Sequence, residues 1–122
     1  MLDEMKFGEF IAVKRQQANL SMRELCRMTS LSPSFFCKME SGKRPAPSGE
    51  TQLIIARALN MTEAECIMLF DLAAETKRDG TLPYDISNYI NSDDDIKLFL
   101  RKAIKCEVKG ADLLKLITTA DK

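Results

Sequence analysis

Residues Ser21 to Pro45, SMRELCRMTSLSPSFFCKMESGKRP, constrain the fold more than any other stretch, because they encode two short helices separated by a three-residue turn. Ser21, with Glu24 three residues on, writes a capping box in which hydroxyl and carboxylate satisfy backbone N–H groups at a helix start. Met22, Leu25, Cys26 and Thr29 then share one face at helical spacing. Ser30-Leu31-Ser32 interrupts that period, and Pro33 takes the first position of the next helix, where a missing N–H costs nothing. Gly42 ends it.

The later helix has two unlike faces. Phe36, Met39 and Glu40 form one, with Phe35 at its edge, while Ser34, Cys37, Lys38 and Ser41 form the other. The aromatic face anchors the helix, and the small, polar, singly basic face points outward. Such a face fits the major groove of DNA, where short hydroxyls and one Lys reach base edges or phosphates. Standing alone, a helix of this kind is more often an ordinary surface helix. The capped helix and tight turn before it make the pair a helix-turn-helix.

A helix over Lys6 to Ala18 is expected to stack Phe7, Phe10, Ile11, Arg15 and Ala18 on one side, so Arg15 stands where an apolar residue belongs. Glu40 does the same in the later helix. A charge on an apolar face is costly unless paired, and two misfits of opposite sign are most cheaply solved by each other. An Arg15–Glu40 pair is therefore expected to lock this helix against the outward-reading one. The alternative for either charge alone is a side chain snorkelling from the face edge.

From Phe7 to about Asn60 the chain resembles the lambda-repressor and Xre type of bacterial regulator. The resemblance rests on Arg15, Leu20-Ser21, Glu24-Leu25, Cys26, Leu31-Ser32-Pro33-Ser34, Phe36, Met39-Glu40-Ser41-Gly42, Arg44-Pro45 and Ile55-Ala56-Arg57-Ala58-Leu59. It implies an all-α fold, a five-helix DNA-binding domain followed here by a short C-terminal helical extension. It also implies a contact set on double-stranded DNA. By position, Ser32 resembles a phosphate-contacting cap, Ser34, Cys37 and Lys38 the base-facing group with Ser41 on the same face, and Lys43 and Arg44 backbone contacts. Met22 and Arg23 at the start of the earlier helix complete the set, although Met22 replaces the Gln that well-studied members use for contact. Pro33 likewise replaces a polar base reader, which shifts the expectation toward phosphate contacts and DNA shape. Ser30, Asn19 and Asn60 stand where glycine is common; Asn tolerates left-handed backbone and Ser does so less well.

The chain has 122 residues and zero formal net charge. That average hides an asymmetry. Residues 5–44 hold eight basic and three acidic side chains, a net of +5, whereas 61–122 hold nine basic and twelve acidic, a net of −3. The positive field thus concentrates where DNA would lie. Four cysteines and no histidine match no zinc pattern, so no metal and no cofactor is expected; free thiols in a reducing cytoplasm are. No nucleophile, metal cluster or phosphate loop can be assembled, which argues against an enzyme. No basic-then-apolar leader is present, and the longest mostly apolar run, Cys66 to Ala74, is too short to span a bilayer, so no membrane role is expected.

Past the Lys43–Gly49 loop, helices are expected over Gln52–Leu59 and, from the capping box Thr62-Glu63-Ala64-Glu65, across Cys66–Ala74. Lys77–Leu82 reads as a linker. Pro83 should start a short helix with Ile86, Tyr89 and Ile90, and Ser92–Asp95 should start another with Ile96, Phe99, Leu100, Ala103 and Ile104. Gly110 is expected to break it before a last helix over Ala111–Thr119. The expected domains are a DNA-binding domain over 5–76 and a helical extension over 82–120 that supplies a dimer or partner surface, since three short helices lack a core of their own. A homodimeric repressor is the leading functional reading. The alternatives are an antitoxin, whose tail sequesters a toxin or other protein partner, and an interaction module that has lost DNA affinity.

Overall fold

The computed structural model describes residues 5–77 and 79–120, without the side chains of 118–120; Arg78, within the expected linker, lies outside the described residues. The described residues form eight helices and no strand: α1 (Phe7–Gln17), α2 (Met22–Thr29), α3 (Pro33–Glu40), α4 (Gly49–Ala58), α5 (Glu63–Glu75), α6 (Tyr84–Asn91), α7 (Asp94–Lys105) and α8 (Gly110–Ala120). The fold is all-α. The chain divides into two compact units, the first ending at Ile86 and the second beginning at Ser87.

In the first unit α1 to α5 close around one core. Phe36, Ile11, Leu25, Met39, Ile55 and Leu69 are its largest fully buried side chains. Helix starts are fixed by side-chain caps: Ser21 on α2, Ser32 on α3, Ser48 on α4 and Thr62 on α5 each accept a backbone N–H. Ser48 moves the start of α4 to Gly49, three residues before the Gln52 expected from apolar periodicity, which is blind to a cap. At the other ends, Asn19, Gly42 and Asn60 take positive φ values of 57°, 78° and 52°. Each is the left-handed residue of a Schellman closure, as in Lys43 N–H to Lys38 C=O at 2.9 Å and Met61 N–H to Ala56 C=O at 3.0 Å. Ser30 caps α2 in the same region, φ 61° and ψ 26°. All three positions where the resemblance favours glycine are left-handed, and none of them is glycine.

Gly8 allows α1 to cross the end of α3 at backbone contact. A Cβ there would sit 2.0 Å from the Met39 carbonyl oxygen. The first unit is completed by Tyr84, whose ring lies 5.8 Å from that of Phe70 and occupies the space a side chain on Gly49 would need.

The second unit, from Ser87, holds the rest of α6 with α7 and α8, and the acidic start read from the sequence is there, with Asp93 capping α7 through the Asp95 N–H. One boundary differs. Gly110 begins α8 and does not break the helix before it. The break is a Schellman closure at Glu107, φ 54°, with Val108 N–H bonded to Ala103 C=O at 2.9 Å. No described residue from Ser87 to Ile117 is buried, and Leu98, Phe99, Ile104, Leu116 and Ile117 are exposed.

Candidate nucleic-acid interface

The turn between α2 and α3 is built by adjacent local devices. Left-handed Ser30 ends α2, and Ser32 starts α3 by accepting the Phe35 N–H at 3.1 Å. Pro33 supplies the first helical φ. The α2 face of Leu25, Cys26 and Thr29 is buried, and the Thr29 hydroxyl is spent on the Leu25 carbonyl at 2.8 Å. From α3, Phe36 and Met39 enter the core.

That seating leaves Ser34, Cys37, Lys38 and Ser41 exposed together on the outward face of α3. Ser32 is exposed beside its first turn, Lys43 and Arg44 follow its last, and Arg23 is exposed on α2. Met22 is partly buried against the core, so it contributes packing more than reach. The Ser41 hydroxyl donates to the Lys38 carbonyl at 3.2 Å. The Arg44 guanidinium carbon lies over the Phe35 ring, 4.4 Å from its centroid, and Phe35 itself meets Phe36 edge-on at 6.0 Å. A cation after α3 is thereby held on a platform anchored in the core.

The orientation of α3 is set by α1. Arg15 donates from Nε to Glu40 Oε2 at 3.0 Å, from Nη2 to Oε1 at 3.1 Å, and from Nη1 to the Leu20 carbonyl at 3.1 Å. Both side chains are largely hidden, 15% and 13% exposed. The Glu40 hydrogen bond, outweighing burial, raises the Arg15 pKa above its already high ordinary value. The structure brings the two misfit charges of the sequence into one fork-on-fork pair.

A family model described as a helix-turn-helix domain matches residues 6–66. The chain belongs to the helix-turn-helix family of the Xre and lambda-repressor type. Comparison with curated proteins and with solved structures gave no match. The family is one of DNA-binding regulators, and its two signature helices are α2 and α3.

Several residues of this helix-turn-helix unit were not singled out by sequence reasoning. Lys14, next to Arg15, pairs with Glu65, tying α1 to the start of α5. That ammonium, with the Thr62 N–H behind it, holds the Glu65 carboxyl below the usual carboxylate range. Thr76 accepts the Ala46 N–H at 3.0 Å and so pins the loop after Arg44 to the end of α5. Gly8 completes the group. Only Gly8 carried a usable signal, a glycine inside a helical apolar period. Burial raises the Cys26 thiol pKa, consistent with its filling a small core site. No group of His, Cys, Asp and Glu among the described residues could hold a metal ion, and no helix among them is long and apolar enough to cross a membrane.

Proposed function

We propose that the protein is a sequence-specific DNA-binding transcriptional regulator, acting as a homodimeric repressor that occludes a two-half-site operator in the cytoplasm. The observation that carries this reading is the outward face of α3, Ser34, Cys37, Lys38 and Ser41, exposed and flanked by Lys43 and Arg44 on a helix locked by Arg15–Glu40. Lys38 and the hydroxyls of Ser34 and Ser41 are the base-edge readers; Ser32, Lys43, Arg44 and Arg23 meet phosphates. Two short hydroxyls and one Lys give thin direct readout, so backbone contacts and DNA shape supply the rest of the discrimination. Selection of bound duplexes from a random pool tests the reading. A palindromic consensus with half-sites one helical turn apart, about 34 to 36 Å, is the expected result; recovery of no consensus, with no salt-dependent binding to any duplex, overturns it.

The second reading, an antitoxin or interaction module that engages a toxin or other protein, is favoured by a separate observation. Ser87 to Ile117 contains no buried described residue and a succession of exposed apolar ones. Such a surface is normally covered by another chain. A second copy fits the repressor; a different protein fits the antitoxin.

A further inference from the structure

Helix α7 carries a patterned surface that the DNA-binding reading does not use. Among the described residues, the helix pairs that pack extensively are all formed by α1 to α5, and no residue of α7 is buried. At about 100° per residue, Ile96, Phe99 and Ala103 form a stripe along it. Phe99 is 51% exposed, and Ile104 beside the stripe is 75% exposed. The two flanks of the stripe differ. One carries Leu100 and Ile104; the other carries Asp95 and Lys102, two turns apart on the same side of the helix. Lys97 and Arg101 stand farther round, behind the stripe. Neither Asp95 nor Lys102 takes part in an ion pair among the described residues. An acid in the first turn and a Lys in the last suit the helix dipole wherever they point around the axis, so their sharing one flank is a separate fact.

We propose, resting on the homodimer reading, that a second copy of this chain covers α7 with its own α7, antiparallel about a two-fold axis. Such an axis lays each flank against its own copy. Leu100 and Ile104 then meet their equivalents, and Asp95 of each copy faces Lys102 of the other, so one helix supplies both halves of two ion pairs. A parallel pair sets unlike flanks together. It leaves Asp95 and Lys102 against the apolar Leu100 and Ile104, where they lose water without gaining a partner. The surface is therefore self-complementary in one orientation only. A seam made by one helix of 12 residues is small for a protein interface, so the dimer it closes is weak and concentration-dependent.

Sedimentation of the full chain, alone and in mixtures, tests the seam. The parent should pass from monomer to dimer as its concentration rises. Asp95→Lys and Lys102→Asp each turn two attractions into two repulsions and should weaken the dimer about tenfold. Mixed one to one, the two variants should recover parental association as a heterodimer, because every flank then faces the opposite charge. A parent that dimerises while both variants associate equally well overturns the α7 seam and leaves the homodimer reading standing. Variants that stay apart on mixing overturn it too. A parent that is monomeric at every concentration overturns the homodimer reading and the seam with it. Orientation has its own readout, in a Cys37→Ser background under mild oxidation. Antiparallel helices hold the two copies of Cys106 more than about 15 Å apart, beyond disulfide reach, so no cross-link through Cys106 should form. Prompt cross-linking there would mean that the helices run parallel.

Discussion

Arg15 and Glu40 face each other in a bidentate pair, two parallel N–H···O bonds of 3.0 and 3.1 Å that join the last turn of α1 to the last turn of α3. Glu40→Ala leaves the guanidinium with only the Leu20 carbonyl. Uncompensated buried charge costs about 3 to 5 kcal/mol, and the slight exposure of both groups places this pair toward the lower figure. Thermal melting should show the loss, with DNA binding falling only as a consequence. A variant that melts with the parent would show that the pair holds nothing.

Gly8 offers a test whose sign is unusual. Replacing an exposed helical glycine by alanine normally stabilises, by about 0.4 to 1 kcal/mol. Here the added methyl meets a backbone carbonyl at 2.0 Å, which no side-chain adjustment relieves. Gly8→Ala should therefore destabilise by about 1 to 3 kcal/mol, as overpacking does. Chemical denaturation measures it, and a stabilised variant would mean that α1 and α3 stand further apart.

Lys38→Ala should weaken specific binding by about 1 to 3 kcal/mol and relax preference at one operator position if the ammonium reads a base edge. Uniform weakening across sequences with a shallower salt slope would transfer Lys38 to the phosphate group. No effect on either would mean that the outward face of α3 is not the reading face.

The Glu65 carboxyl is held below its ordinary range by Lys14 and the Thr62 N–H. A carboxylate whose folded pKa lies below its unfolded one adds stability above the unfolded pKa, and that stability disappears as pH falls through the folded value. Glu65→Gln should lower stability at neutral pH and flatten the acid side of the stability profile. Equal pH dependence in parent and variant would remove this pair from acid unfolding.

Exposed apolar residues in α7 and α8 predict association. Leu116→Glu with Ile117→Glu should shift sedimentation toward monomer and weaken operator binding, because linking two half-site contacts is what raises affinity. If parent and variant sediment alike as monomers and bind equally, the second unit does not join two copies, and a different protein covers it.

What could be read from the sequence was whatever is local. Capping boxes at Ser21 and Thr62, Pro33 at a helix start and Gly42 at a helix end all act within one turn of chain, and the structure has them there. The Arg15–Glu40 contact is long-range, yet two misplaced charges on apolar faces were enough to anticipate it. Lys14–Glu65 was hidden because Glu65 already had a task in the Thr62 capping box, and nothing in the spacing says that the start of α5 returns to α1. The outward face of α3 followed from periodicity, but the footing of Arg44 on Phe35 depends on how the turn after α3 folds back, and no spacing rule contains that. Gly110 misled because glycine ends helices so often; left-handed Glu107 did the work there.

The neighbouring cations Lys14 and Arg15 reach to two different helices, Glu65 at the head of α5 and Glu40 at the tail of α3. Inserting or deleting one residue within α1 turns everything beyond it by about 100°, so both grips would be lost at once. Relatives of this chain should therefore keep the distance from Phe7 to Arg15 fixed to the residue. Their differences in length should gather instead among exposed positions such as Asp79 to Leu82, where added chain costs little.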